Sequence, residues 1–285
     1  MIAAAMHPTS APAQPHPRTV ASSSLRASAP ALLATALLWT ALAFAVSVTG
    51  ARAAGPALDT AQAAAPAEPR VLAPFRADYA AFRGGKTIGS ASLRLLRQAD
   101  GRWRADLSVH ADRGVAGLLG LDLEQSTVFE NHADGWRPLS QSSVRKGLFL
   151  GKRSSGRYDW SAGTALWTGD LKPQHRAPVT LREGDLSGLL INLAIVRDAM
   201  PGRELQYRFV EGGRARDQQY RVAEALDPVT VDDLSYAAMR VERSNGGNDQ
   251  TVVWVVEGVP TPVRILQRED GEDLFDLRLI AYQGV

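Results

Sequence analysis

The sequence predicts a mainly all-β protein, built as a curled antiparallel sheet or incomplete β-barrel with one buried apolar helix. Three observations lead to this fold class. Apolar and polar residues alternate with a period of two in one segment after another. Turn pairs that contain glycine separate these segments. The strand–helix–strand alternation of doubly wound nucleotide-binding folds does not occur.

The N-terminal segment has the order of an export signal. Arg18 and Arg26 precede an uncharged, largely apolar run at residues 31–49, and a small-x-small cleavage sequence follows at residues 51–53. A run of this length can also span a bilayer. The alternatives are therefore a signal peptide at residues 1–53 and an uncleaved inner-membrane anchor at residues 31–49. Because positively charged residues that flank an apolar segment stay on the cytoplasmic side of the membrane, both alternatives place the rest of the chain in the periplasm.

Removal of residues 1–53 changes the net charge of the chain. That segment carries three arginines and no acidic residue, so 29 of the 32 basic residues remain against 30 acidic ones, and the formal charge falls from +2 to −1. A nearly neutral domain gives no electrostatic reason to expect a nucleic-acid partner. The sequence has no cysteine, which excludes disulfides, thiolate chemistry and a lipid-modified N-terminal cysteine.

Residues 54–70 are rich in Ala and Pro and show no periodicity, so they are predicted to be a disordered spacer before one antiparallel β domain at residues 71–285. The clearest strand runs from Trp103 to Val109, where apolar side chains fall on one face and polar ones on the other. The same pattern recurs to the end of the chain and predicts about eleven strands. Turns are predicted at Asp100-Gly101, Gly212-Gly213, Asn245-Gly246-Gly247 and Asp270-Gly271.

Residues 186–199 break the alternation, because Leu186, Leu189, Leu190 and Leu193 follow helical spacing. Asp185 is a plausible N-cap for this helix. A helix that is apolar nearly all round must be covered, so we expect it against the open face or in the mouth of the curled sheet. The four leucines are our predicted contacts for an acyl chain or apolar peptide. A second apolar segment, residues 114–121, is predicted as a short helix or a loop.

No catalytic residue, metal site or cofactor is predicted. Residues 147–153 resemble a phosphate-binding loop, but only three residues separate the two glycines and Arg153 stands where that loop has Ser or Thr. A basic hairpin is the better interpretation. A Gly-x-Ser-x-Gly nucleophile motif is lacking, and the histidines of the β domain are far apart in the sequence.

Several sequence pieces resemble the bacterial domain-of-unknown-function family 3108. The opening hairpin reads Phe75-Arg-Ala-Asp-Tyr79 and then Gly84-Gly85-Lys-Thr-Ile-Gly89. Later pieces agree in order and spacing: Ser126–Phe129, Asp134–Pro138, Asp185-Leu-Ser187, Thr251–Trp254 and Pro260–Ile265. The resemblance implies an exported β-rich envelope protein without an assigned activity. It marks as structural positions Tyr79, Gly89, Asp185, Ser187, Trp254 and Pro262.

Together these features predict an exported cell-envelope protein that acts as a non-enzymatic binding or scaffold protein for a lipid-like ligand or an envelope partner. The alternative is a periplasmic hydrolase that acts on an envelope polymer, which requires two carboxylates converging in one cleft.

Overall fold

The computed structural model describes residues 72–114, 122–147 and 151–285. The predicted export signal and spacer, and nearly all of the apolar segment 114–121, lie outside these residues. The described chain forms fifteen strands, one α-helix and one 3-10 turn. The strands are β1 Phe75–Arg83, β2 Lys86–Arg97, β3 Trp103–Ala111, β4 Asp122–His132, β5 Gly135–Lys146, β6 Lys152–Asp159, β7 Thr164–Gly169, β8 Val179–Thr180, β9 Asp185–Leu186, β10 Glu204–Glu211, β11 Arg214–Val231, β12 Leu234–Arg243, β13 Asp249–Val255, β14 Arg264–Glu269 and β15 Glu272–Gly284. The helix α1 is Gly188–Asp198, and the 3-10 turn is Pro173–His175.

All fifteen strands belong to one sheet, in the order β8-β7-β6-β5-β4-β3-β2-β1-β15-β14-β13-β12-β11-β10-β9. Neighbouring strands are antiparallel except β9 and β10, which are parallel. The first and last strands, β1 and β15, pair with each other at the middle of this order. The predicted fold class, a mainly β protein with a large curled sheet and one helix, is confirmed.

The sheet has to curl because its two edge strands are close together in the chain. In a flat sheet, fourteen spacings of about 4.8 Å would place β8 and β9 roughly 65 Å apart. Only residues 181–184 connect them, and five Cα–Cα steps of about 3.8 Å reach at most about 19 Å. The two edges therefore lie near each other.

The curled sheet also overlaps itself where its edges approach. Tyr207 of β10 is buried in the main core, whereas Val210 points to the opposite face and packs with Tyr158 and Trp167 of β6 and β7. Trp167 is the cross-strand partner of Gly156, which is in turn the partner of Gln141 on the core face of β5. Trp167 therefore lies on the core face of β7. The core face of β6–β7 thus covers the back of β10. We call this overlap of β6–β8 with β9–β10 the seam.

The concave face of the sheet is packed against α1, seven of whose residues are buried. The helix begins at Gly188, with Ser187 as its N-cap: the Ser187 Oγ accepts a hydrogen bond from the Leu190 amide at 3.4 Å. The prediction that Asp185 caps the helix was wrong. Asp185 is instead in β9, where its carboxylate binds the Arg208 guanidinium of the neighbouring strand at 2.5 Å.

The sequence predicted about eleven strands, and the described residues form fifteen. The edge strands β8 and β9 have two residues each, too few for an alternating pattern. In β5 and β6 the core face carries Gln141, Ser143 and Ser154, so apolar alternation is missing there. The predicted turns all lie between strands as expected. Within the described ranges, no helix has the length and apolarity needed to cross a bilayer.

On the outer face of the sheet, a buried carboxylate is held between two arginines. Asp276 is 2% exposed, and its oxygens accept hydrogen bonds from Arg264 at 2.8 Å and from Arg278 at 2.8 and 2.9 Å. The two guanidinium groups stack over Trp254 and Phe82, respectively. Burial opposes ionisation of the Asp276 carboxyl, but both arginines outweigh it and hold its pKa below the ordinary 3.8.

We expect Asp276→Asn to lower the free energy of unfolding by about 2–3 kcal/mol at pH 7, because it leaves the partly buried Arg264 guanidinium and the more exposed Arg278 guanidinium without their anion. Since the folded state lowers this pKa, the stabilisation is present above pH 3.8 and is lost as the pH falls through the folded value. Urea unfolding between pH 2.5 and 7 measures both effects. The control is Asp78→Asn, which breaks the exposed ion pair between Asp78 and Arg76 and should lower the free energy of unfolding by under about 1 kcal/mol. Equal losses in the two variants would contradict the prediction.

Candidate functional site

A pocket of about 260 Å³ opens at one end of the curled sheet, next to the seam. We call it the mouth. Its lining comes from five strands (β4, β5, β6, β10 and β11), from the β10–β11 turn and from the segment that follows β7. The lining residues are Gln125, Ser143, Arg145, Lys152, Arg153, Ser154, Asp170, Leu171, Lys172, His175, Phe209, Glu211, Gly212 and Arg214.

The register of β4, β5 and β6 explains why polar side chains line the mouth. Thr127 and Gln141 are cross-strand partners on the core face and are both buried. Two residues further along, Ser143 lies between its partners Gln125 and Ser154 on the same face. The next pair on that face, towards the open end, is Arg145 with Lys152. The inner face of the sheet therefore changes from apolar to polar and basic as it approaches solvent.

A chain of hydrogen bonds forms the floor between the core and the mouth. The Trp167 indole N–H donates to Gln141 Oε1 at 3.1 Å, and Gln141 Nε2 donates to Glu211 Oε1 at 3.0 Å. The other carboxylate oxygen of Glu211 accepts the backbone N–H of Gly188, the first residue of α1, at 2.9 Å. Glu211 thus joins the mouth to the N-terminus of the helix, where a negative charge is favourable.

Trp167 reaches this network because its partner on β6 has no side chain. A Cβ on Gly156 would lie 2.2 Å from the Trp167 Nε1. The absence of that atom lets the indole lie across β6 and extend towards Gln141. Glycine is therefore required at position 156, because the Trp167 side chain approaches the backbone of β6 closely there.

The mouth has an excess of positive charge, since five basic and two acidic side chains line it. Burial raises the pKa of Glu211 above the ordinary 4.5, while the Gly188 amide and the charges of Arg214 and Arg145 oppose that rise. Burial lowers the pKa of His175, and the positive charges of Arg214, Lys172 and Arg216 lower it further. His175 is thus held in its neutral form at pH 7.

A second, shallower cleft of about 580 Å³ lies among hairpin turns and differs from the mouth in its charge balance. Arg83 and Arg268 line it together with Glu272 and Asp273, and Arg268 forms an ion pair with Asp273 at 2.7 Å. Its charges are matched, so it has no excess field that would favour a charged ligand.

The four leucines predicted as ligand contacts do not line the mouth. Leu186, Leu189, Leu190 and Leu193 are all at most 5% exposed and belong to the main core. Leu189, Leu190 and Leu193 belong to α1 and pack against the concave face of the sheet, whereas Leu186, which was predicted in the helix, lies in β9. An acyl chain could contact them only if α1 moved away from that face.

The six family-pattern positions make contacts that hold the fold together. The Tyr79 hydroxyl donates to the Pro262 carbonyl at 2.9 Å and is 2.6 Å from Thr261 Oγ1, and burial raises the pKa of Tyr79. Trp254 donates its indole N–H to Asp227 at 3.0 Å.

The remaining family-pattern residues lie where backbones or strand edges approach closely. A Cβ on Gly89 would lie 2.0 Å from the His110 carbonyl oxygen of the neighbouring strand. Ser187 and Asp185, both fully buried, hold the helix N-terminus and β9; the Ser187 hydroxyl is 2.9 Å from Thr127 Oγ1 of β4.

The residues that line the mouth were not predicted as site residues. Lys152 and Arg153 were recognised only as part of a basic hairpin, and Arg145, Lys172 and Arg214 lie in three separate segments of the sequence. Their convergence depends on the curl of the sheet, which brings β10–β11 beside β5–β6. The one sequence signal available was the polar alternation of β5 and β6. Among residues 72–114, 122–147 and 151–285, no group of three or more His, Asp or Glu side chains has the geometry to hold a metal ion.

A family model described as "Protein of unknown function (DUF3108)" matches residues 75–275. The chain belongs to this family. The DUF3108 match confirms the resemblance seen in the sequence pieces around Tyr79, Asp185 and Trp254. No curated protein sequence matches the chain significantly.

Two solved structures are similar to this DUF3108 chain. One is a β-barrel-like protein of the domain of unknown function DUF1849 from Brucella abortus, with 14% identity over 75% of this chain and 98% of that chain, and a TM-score of 0.45. The other is a DUF1089 family protein from Pseudomonas aeruginosa, with 12% identity over 65% of this chain and 88% of that chain, and a TM-score of 0.33.

The Glu211 network yields a prediction that separates its charge from its hydrogen bonds. We expect Glu211→Ala to lower the free energy of unfolding by about 2 kcal/mol, because the Gly188 N–H and Gln141 Nε2 lose their acceptor. Glu211→Gln keeps an acceptor for Gly188 and should lose less. Because folding raises the pKa of Glu211, ionisation destabilises the fold as the pH rises from 4.5 through the folded value.

Glu211→Gln should therefore weaken the decline of stability above pH 4.5. Urea unfolding at pH 4, 5.5 and 7 measures this, with the exposed Glu224→Ala as the control. The prediction is wrong if the Gln and Ala variants lose the same free energy at every pH.

Proposed function

We propose that this DUF3108 protein is an exported, non-enzymatic binding protein of the cell envelope, and that a lipid-like ligand or an envelope partner binds it at the mouth. One observation supports this proposal. The helix α1 and the inner-face side chains fill the core, whereas the mouth remains as a pocket on the same inner face. Preformed pockets at the open ends of β-barrels are common binding sites.

The volume of the mouth limits what can occupy it. About 260 Å³ is below the usual range for a drug-sized ligand, so the mouth suits a headgroup or a terminal group rather than a whole lipid. Phe209 and Leu171 give the lining an apolar portion where the first part of a chain could rest. The rest of a long ligand would remain outside the sheet.

The side chains of the mouth favour binding over catalysis. A serine nucleophile needs an adjacent base. Within the described part of the chain, the Ser143 and Ser154 hydroxyls make no hydrogen bond to His175 or to a carboxylate, although all these groups border one pocket. Export rests on the sequence alone, through the charged and apolar order of residues 1–53.

The alternative, a hydrolase that acts on an envelope polymer, is supported by one observation. Asp170 and Glu211 line the same pocket, and burial raises the pKa of Glu211 towards that of a general acid. Asp170 is engaged, however, because its Oδ2 accepts the backbone N–H of Arg153 at 2.9 Å. Release of sugar or peptide fragments from purified cell-wall polymer by the wild type, and its loss in Glu211→Gln and Asp170→Asn, would establish the alternative.

Export and ligand retention can be tested on the full chain produced in a Gram-negative host. We expect the protein in the periplasmic or membrane fraction, and its retention in the cytoplasm when residues 31–49 are deleted. Organic extraction and mass spectrometry of the purified protein should release a lipid-like molecule that is absent from Ser143→Phe, whose added ring fills the mouth. An exported protein from which no ligand can be extracted, and which pulls down no envelope partner, would contradict the proposal.

A disulfide can decide whether the ligand enters at the mouth or beneath the helix. Because the chain has no cysteine, Thr127→Cys with Ser187→Cys offers a single pairing, at positions whose hydroxyl oxygens are 2.9 Å apart. The bond would tie the start of α1 to β4. We expect equal ligand binding before and after reduction of this variant. Binding that appears only after reduction would show that α1 has to move, and would place the ligand at the four core leucines.

A further inference from the structure

The basic side chains of the mouth have no ion-pair partner in the described part of the chain. Arg145, Lys152, Lys172 and Arg214 all line the pocket. None of the four forms an ion pair within residues 72–114, 122–147 and 151–285, although many other arginines of the same residues do. An arginine or lysine that faces a shared pocket without a counterion is a ready contact for an anion.

The two acidic side chains of the mouth are already engaged in the fold. Both carboxylate oxygens of Glu211 accept hydrogen bonds, one from Gly188 and one from Gln141. Asp170 accepts the amide of Arg153 and so fixes the start of β6. Neither carboxylate forms an ion pair with any of the four cations. The lining of the pocket therefore keeps an excess of positive charge.

Two of the same cations, together with Arg216, act on the imidazole of His175. After burial, the causes that lower its pKa are the charges of Arg214, Lys172 and Arg216. The acidic groups facing the same pocket, Asp170 and Glu211, do not reverse this direction. A positive field in an otherwise nearly neutral domain concentrates anions at the mouth.

Neutral hydrogen-bond donors stand beside these cations in a regular arrangement. Ser143 and Ser154 are cross-strand partners, and Arg145 and Lys152 are the next pair on the same face. Guanidinium, ammonium and hydroxyl groups together are the donors that bind phosphate oxygens. We infer that the mouth binds the phosphate group of an anionic ligand, with Arg145, Lys152 and Arg214 as its charged contacts.

This inference rests on the proposed function and names the chemistry of its ligand. A phosphate group can belong to the headgroup of an anionic lipid or to a small soluble phosphate. The pocket volume accommodates either one, because only the phosphate and its nearest atoms need to enter.

Binding should be measured on the exported full-length protein at low and high salt. The soluble probes are inorganic phosphate and glycerol 3-phosphate, followed by calorimetry; the lipid probes are phosphatidylcholine vesicles with and without phosphatidylglycerol, followed by sedimentation. Binding only to the phosphatidylglycerol vesicles assigns a lipid headgroup, and binding to the soluble probes assigns a free phosphate. Absence of binding to every probe would overturn the inference.

Charge-removing variants test the assigned residues. We expect Arg145→Gln with Arg214→Gln to weaken binding of whichever probe binds by at least about tenfold, as expected for the loss of charged hydrogen bonds. Arg94→Gln serves as the control for the loss of one positive charge. It removes an exposed arginine from the outer face of β2 that forms no ion pair with any described residue. An equal loss in the control would show non-specific attraction and overturn the site. Thermal unfolding of each variant verifies that the fold is retained.

The mouth-filling variant distinguishes this inference from the proposed function. If Ser143→Phe releases the co-purified ligand while the double arginine variant retains it, the mouth is the binding site but its ligand is not held through a phosphate. If both variants release it and the probes compete with it, both conclusions stand. Should Ser143→Phe unfold, Ser154→Phe fills the same space from the neighbouring strand.

Discussion

Arg208 is the residue on which the curled sheet depends, because its guanidinium joins the two edges. Arg208 belongs to β10 and binds the carboxylate of Asp185 in β9, while its guanidinium also donates to the Thr180 carbonyl of β8 at 3.3 Å. Asp185 is fully buried, and within the described residues its second oxygen has no hydrogen-bond partner. Such a charge is tolerated in a core only when a cation compensates it. The fold thus accepts a desolvation cost where its two edges meet.

The position of the helix and the chemistry of the mouth follow from this closure. Once β9 is fixed, Ser187 lies against Thr127, and α1 starts with its N-terminus facing Glu211. Glu211 then connects to Gln141 and Trp167, which seals the core beneath the polar end of the sheet. The basic residues stay at the solvent side of this floor. Closure of the edges therefore separates a filled, apolar interior from a charged pocket.

The sequence predicted the fold class well and the candidate site poorly, for a physical reason. Period-two alternation and glycine turns are local, so strands such as Trp103–Ala111 and the helix near Leu190 were predicted from neighbouring residues alone. The N-cap was assigned to Asp185 instead of Ser187, because the long-range partner of Asp185, Arg208, cannot be read from local spacing. The mouth is an extreme case, since Arg145 and Arg214 are brought together only by the curl of the whole sheet.

The pairing of β1 with β15 at the centre of the sheet has a consequence for how the chain folds. Residues about two hundred positions apart in sequence, such as Phe75 and Gly284, are direct neighbours there. Each half of the sheet can grow by successive hairpins, but the halves can join only when the C-terminal strand is available. Loop closure over such a distance is slow, as in other folds of high contact order. We therefore expect the β1–β15 pairing to form late in folding. Loss of β15 would leave two half-sheets with exposed, unpaired edges.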